Sequence, residues 1–133
     1  VIDHIEIHLP EKYTRMMAGV MNSSLYGLFR EIIGRLGLGQ GTLKVEVMDW
    51  KIFPVLSPTS LSQETIHNIE TLTQILWNRK ILKITDEIHQ SDHKDLDDCI
   101  FDILKLSKTE REAVYEAVID MVEARLKKAS SLE

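Results

Sequence analysis

Among its 133 residues the chain has a single cysteine, Cys99, so neither an internal disulfide nor a thiolate metal cluster can form. That usage fits a reducing cytoplasm. No apolar run approaches the ~20 residues a membrane helix requires. Glycine is confined: all six lie between Gly19 and Gly41, four of them in the run from Gly34 to Gly41. Positive charge is also short, with a formal net charge of −5. A free-standing DNA-binding domain is usually basic, so any phosphate contact has to come from a local basic stretch. One exists. From Lys12 to Lys44 there are five basic residues (Lys12, Arg15, Arg30, Arg35, Lys44) against the single acid Glu31, whereas Thr59 to Glu133 carries fifteen acids and ten bases.

Apolar residues make up 44% and charged residues 28%, ordinary values for a globular domain. The chain opens at Val1 and closes on Leu132-Glu133, the pair a cloning site leaves before a purification tag. These ends are read as those of a fragment. Residues 1–128 form one domain from the C-terminal part of a larger protein, with a mixed part over 1–58 and a helical part over 59–128. Residues 129–133 are a tail.

Alternation over Ile2–Leu9 predicts a strand stopped by Pro10. Tyr13, Met17, Met21, Leu25, Leu28 and Ile32 recur at helical spacing, predicting a long helix near 11–34. Asn22-Ser23-Ser24 and Gly27 are poor helix formers inside it, so they mark either a break or the approach of another backbone. Thr42–Met48 alternates again, and a further extended piece runs from Ile52 to Leu56. A capping box at Ser60 and Gln63 opens the next helical stripe, which is bent or divided near Asn78. A shorter helix follows at Leu96–Leu104. A second capping box, Ser107 with Glu110, starts a helix turning Val114, Val118, Met121, Val122 and Leu126 inward. The predicted fold class is α+β, mostly α: a small sheet from residues near 3–9 and 42–56 packed on the long helix, plus a C-terminal helical bundle.

Few patterns carry chemistry. The run Gly37-Leu38-Gly39-Gln40-Gly41 follows a helix and precedes a strand, the reverse of the order a dinucleotide cradle needs, and no Lys-Ser or Lys-Thr follows it. His89 and His93, flanked by Asp92 and Asp95, have i,i+4 ligand spacing, but without a third ligand they read as a solvated face, and no metal is expected. Asp95, Asp97, Asp98 and Asp102 near a helix start are accounted for by the helix dipole. Trp50 and Trp77 read as core or interface anchors. No catalytic Ser-His-Asp or Cys-His set follows from spacing.

A longer-range order is present. Met21-Asn22-Ser23-Ser24-Leu25-Tyr26-Gly27-Leu28-Phe29 is followed by Leu38-Gly39-Gln40-Gly41-Thr42-Leu43-Lys44, then by Asp49-Trp50-Lys51-Ile52-Phe53-Pro54-Val55. Downstream come Leu96-Asp97-Asp98-Cys99-Ile100-Phe101-Asp102 and a Glu110-Arg111-Glu112-Ala113-Val114-Tyr115 helix running through Arg125. This order resembles the C-terminal part of adenine-specific DNA methyltransferases of type I or type II restriction-modification systems, from about Tyr13 to Lys128. Two departures are Trp50 at a middle apolar position and Lys105 where the family often has glycine.

The resemblance implies a prokaryotic, cytoplasmic protein in which this chain is the non-catalytic DNA-recognition region. The motif that grips a flipped adenine and the S-adenosylmethionine fold are both missing from this chain, so no cofactor is expected in it and the methyl donor belongs to the parent's catalytic domain. The implied partners are DNA, that catalytic domain, and a restriction or specificity subunit, with no membrane. Arg30, Arg35, Gln40 and Lys44 are the candidate DNA contacts. Arg and Gln can pair with guanine and adenine edges, while Lys44 suits a phosphate. Alternatively, the arginines pair with carboxylates such as Glu31 or Glu46, and the acidic helices of Thr59–Lys128 are a subunit-docking module.

Overall fold

The computed structural model describes residues 8, 10–36 and 41–131, and the architecture is mostly helical. A single 3-10 turn at Glu11–Tyr13 leads into α1 (Thr14–Asn22) and α2 (Ser24–Ile33). Strands β1 (Arg35–Leu36) and β2 (Leu43–Lys44) form a two-residue antiparallel ladder pairing Arg35 with Lys44 and Leu36 with Leu43. After one helical turn, α3 (Val47–Trp50), an extended segment reaches a 3-10 turn at Pro58–Ser60. Helices α4 (Gln63–Trp77), α5 (Ile84–Glu87), α6 (Ser91–Ile103) and α7 (Lys108–Ser130) complete the chain.

The long N-terminal helix is broken at Ser23, which has an extended backbone (φ −65°, ψ 156°). Its hydroxyl donates to the Val20 carbonyl (2.8 Å), closing α1 while the chain turns into α2. No backbone approaches at Gly27, where an added Cβ would come no closer than 3.7 Å to Val118; the tight approach is at Gly19. A Cβ on Gly19 would collide with Thr73 Oγ1, so α1 and α4 can touch only because Gly19 has no side chain.

The expected sheet is not formed among the described residues; positions 3–7 and 9 lie outside them. Within 42–56 only Leu43 and Lys44 ladder. Glu46 and Asp49 form a capping box, which turns the alternating Val45–Met48 run into a helix start. The Ile52–Leu56 piece is extended but unpaired by a strand. It is fixed by aromatic packing of Phe53 against Tyr26, Phe29 and Trp50, and by the Leu56 N–H donating to the Tyr26 hydroxyl (2.9 Å).

Two further expectations are corrected. Ser62, not Ser60, caps α4, accepting from the Thr65 N–H (3.1 Å), while Ser60 Oγ donates to Ser57 O. The C-terminal helices pack on one another, α4 on α6 and α5 on α7, but also on the N-terminal pair, α4 on α1 and α7 along α2. The core therefore draws Met16, Val20, Leu25, Tyr26 and Phe53 together with Ile66, Ile69, Leu96, Ile100, Phe101 and Val114. Of the positions expected to point inward on α7, Val114 and Val118 are buried, but Leu126 is 50% exposed. The Ser107–Glu110 capping box and the division of the helix near Asn78 are as expected.

No helix among the described residues is long and apolar enough to cross a membrane.

Candidate functional site

Two regions hold the polar side chains. The first is the exit of the glycine run. Gly41 adopts φ +68°, a left-handed conformation that favours glycine, and its carbonyl accepts from Arg125. Arg125 also donates to both carboxylate oxygens of Glu31 (2.9 and 2.7 Å), so α7 clamps the end of α2 to the end of the run. Beside this joint the ladder presents Arg35 and Lys44, with side chains 61% and 57% exposed. Arg35 reaches Glu46 (3.3 Å) and Asp49 (3.2 Å), and Lys44 reaches the other oxygen of Glu46 (3.6 Å). The arginine–carboxylate pairing that the sequence left open is thus realised for Arg35. Glu31 is taken by Arg125 instead. Arg30 turns inward and donates to the Met21 carbonyl, away from this pair. Gln40 lies outside the described residues.

The second region was not anticipated. His93, expected on a solvated face, is buried, and so is Asp97 from the acidic cluster. Asp97 accepts the Ser24 N–H (2.7 Å) and the Ser24 hydroxyl (2.6 Å). A carboxylate from α6 therefore satisfies the first free N–H of α2, where the helix dipole is positive. Burial raises the Asp97 pKa, with the His93 charge and the Ser24 bonds opposing that rise. Tyr115 lies beside the same carboxylate; its phenol is pushed far up by burial and by the Asp97 charge.

His93 joins this pair to a second one. Its Nε2 is 3.1 Å from Ser24 Oγ and 3.5 Å from Asp97 Oδ2, and its Nδ1 is 3.1 Å from Glu87 Oε1. Glu87 and Asp92 are gripped by Arg79, with contacts of 2.6 to 3.0 Å, and the Leu82 N–H donates to Glu87 (2.8 Å). Hydrogen bonds from Arg79 hold both carboxyls below their usual range. The order serine, histidine, glutamate imitates a nucleophile and its base. The geometry does not work as one: the Ser24 proton is donated to Asp97 rather than offered to His93, and Ser24 is buried. Nucleophilic catalysis needs the base to take that proton.

Sequence reasoning missed this network because its members are scattered over seventy-odd positions. The available signal was the 69- and 73-residue separations closed by residues inside the Asn-Ser-Ser and Leu-Asp-Asp blocks. Among the described residues no group of His, Cys, Asp and Glu is arranged to hold a metal.

A cavity of about 250 Å³ opens beside the network, lined by Arg30, Leu76, Trp77, Ile81, Leu82 and Ile84 together with Glu87 and His93.

The chain matches no protein-family model, no curated protein and no solved structure.

Proposed function

We propose that the chain is the non-catalytic DNA-recognition region of a type I or type II restriction-modification adenine-specific DNA methyltransferase. One observation supports the reading best: the sequence blocks that carry the resemblance are the ones that join to each other. Ser24 of the Asn-Ser-Ser block binds Asp97 of the Leu-Asp-Asp block. Tyr26 holds Leu56, next to the Asp49–Val55 block. Arg125, the end of the last block, holds Gly41 of the glycine run.

In this reading Arg35 and Gln40 read bases and Lys44 meets a phosphate, while Arg30, turned inward to the Met21 carbonyl, takes no part. Glu46 holds Arg35 and Lys44 in place until DNA, far more densely charged, displaces it. The parent's catalytic domain supplies S-adenosylmethionine binding and extraction of the target base. The test is made in the protein that carries this chain with its catalytic domain. Gln40→Ala is expected to relax base choice at one position of the methylated site; unchanged selectivity would count against the loop as the reader.

A second reading, a docking module for a nuclease or specificity subunit, draws on Ile75, Trp77, Ile81 and Leu82. These large apolar side chains are all exposed, and such a cluster is a feature of partner surfaces. Charged substitutions at Ile75 and Ile81 that left DNA methylation intact but released the subunit in pull-down experiments would favour it.

A further inference from the structure

The cavity beside the buried network has an unbalanced polar inventory. Thr73 donates to the Ile69 carbonyl (2.6 Å) and is satisfied. Glu87 and His93 are satisfied by each other, by Arg79, by the Leu82 N–H and by Ser24. Arg30 is the exception. Its guanidinium has five N–H donors, and its one hydrogen bond among the described residues goes to the Met21 carbonyl. No carboxylate of a described residue lies within ion-pair distance of it; the adjacent Glu31 is engaged by Arg125. Burial disfavours its charge, and none of its unbonded nitrogens is sealed off from solvent, so they are open to an anion that enters the cavity. Asn22, whose amide donates to the Ala18 carbonyl (2.7 Å), is the other polar lining residue, and the remaining walls (Leu76, Trp77, Ile81, Leu82 and Ile84) are apolar. A second cation, Arg15, sits 5.8 Å from the centre of the Trp77 ring.

We propose that this cavity binds a small amphipathic carboxylate, its head paired with Arg30 and its apolar body against Trp77, Ile81 and Leu82. The space equals roughly eight water volumes of ~30 Å³ each, which admits a medium-length acyl chain. Glu87 sets the orientation: its negative charge lines the same cavity, so the carboxylate head is favoured at the Arg30 end. Guanidinium and carboxylate can then make two parallel hydrogen bonds.

The experiment is a titration of the chain with sodium octanoate and, separately, with 1-octanol, which has the same chain length and no charge. Binding is followed by tryptophan fluorescence and by two-dimensional NMR of isoleucine and leucine methyls. Saturable octanoate binding about tenfold tighter than that of 1-octanol, with shifts at Leu76, Ile81, Leu82 and Ile84, is expected. Arg30→Gln should erase the preference for the acid, and Arg30→Lys should keep part of it. Equal affinity for the two compounds in the wild-type protein, no saturable binding of either, or shifts confined to other methyls would overturn the proposal. The wild-type comparison decides the matter even if Arg30→Gln fails to fold.

Discussion

Lys105 shows how one side chain can oppose the backbone that carries it. It follows the last turn of α6 with φ +57°. Its N–H bonds Asp102 O (3.1 Å), and the Leu106 N–H bonds Phe101 O (3.0 Å). This is the paired closure that usually places glycine at that position. A lysine there carries the left-handed penalty of about 1 kcal/mol. Lys105→Gly is therefore expected to raise stability by about 1 kcal/mol, or about 4 °C in melting temperature for a domain of this size, measured by thermal denaturation. The departure from the resembled family at this residue is thus a local cost in backbone energy, with the turn itself retained.

Arg79 makes the opposite kind of prediction. It balances Glu87 and Asp92 with its own side chain 26% exposed. Arg79→Met should cost about 2 kcal/mol, somewhat below the loss expected for one partner of a fully buried pair. The pH dependence follows from the two carboxyls held low. Their stabilising contribution is fully present above the ordinary carboxylate range and is lost as pH falls through the lowered values. Asp97, raised by burial, acts with the opposite sign: its ionisation removes stability as pH rises through its own value. Urea unfolding between pH 2 and pH 7 should show the acid-side loss of stability in the wild type, and a shallower one in Arg79→Met. An identical slope in both proteins would remove Arg79 as its source.

At the scale of elements, two glycines in adjacent helices should respond in opposite directions. Gly19 sits where α1 meets α4, and its missing Cβ makes room for Thr73 and Ile69. Gly19→Ala should destabilise by about 2 kcal/mol through overpacking. Gly27 lies inside α2, where an added Cβ would come no closer than 3.7 Å to Val118. Gly27→Ala should stabilise by up to about 1 kcal/mol through helix propensity. Chemical denaturation of the two variants checks the contrast.

These elements also show what the sequence made legible. Helical spacing located α1, α2, α4, α6 and α7 because each has an apolar stripe, and Ser107 with Glu110 marked the start of α7 by local chemistry alone. Period two misled over Thr42–Met48: alternation there reflects a half-buried connection, and the Glu46–Asp49 capping box decides for a helical turn. Spacing also had no access to tertiary capping. The N–H groups at the start of α2 find Asp97 seventy-three residues away, so a buried acid was taken for a surface dipole partner and His93 for a solvated one. The exposed basic pair Arg35 and Lys44 was legible because its charge stood out from an acidic chain. Their shared contact with Glu46 was named in advance for the arginine alone.

Considered whole, the molecule is an acidic helical body with a small basic ladder at the end of the glycine run. Gly41, the last residue of the run, is held by Arg125 from the far end of the sequence. That clamp has a consequence for function. Arg125→Met should leave Glu31 buried without a cation and free the Gly41 carbonyl, costing about 3 kcal/mol and reducing site-specific DNA binding as the ladder loses its fixed position. On the proposed reading, the chain by itself is expected to show no calorimetric binding of S-adenosylmethionine. Micromolar affinity would place the donor site here and reverse the assignment.

The proposal that the ladder meets DNA is tested most directly by the salt dependence of DNA binding in the larger methyltransferase that the proposal assigns to this chain, comparing the wild type with Lys44→Ala. Loss of one phosphate contact should weaken binding to cognate and unrelated duplexes alike and lower the slope of log affinity against log salt by about one. Unchanged affinity and an unchanged slope for both duplexes across the salt range would contradict it, leaving Lys44 as the surface partner of Glu46 and nothing more.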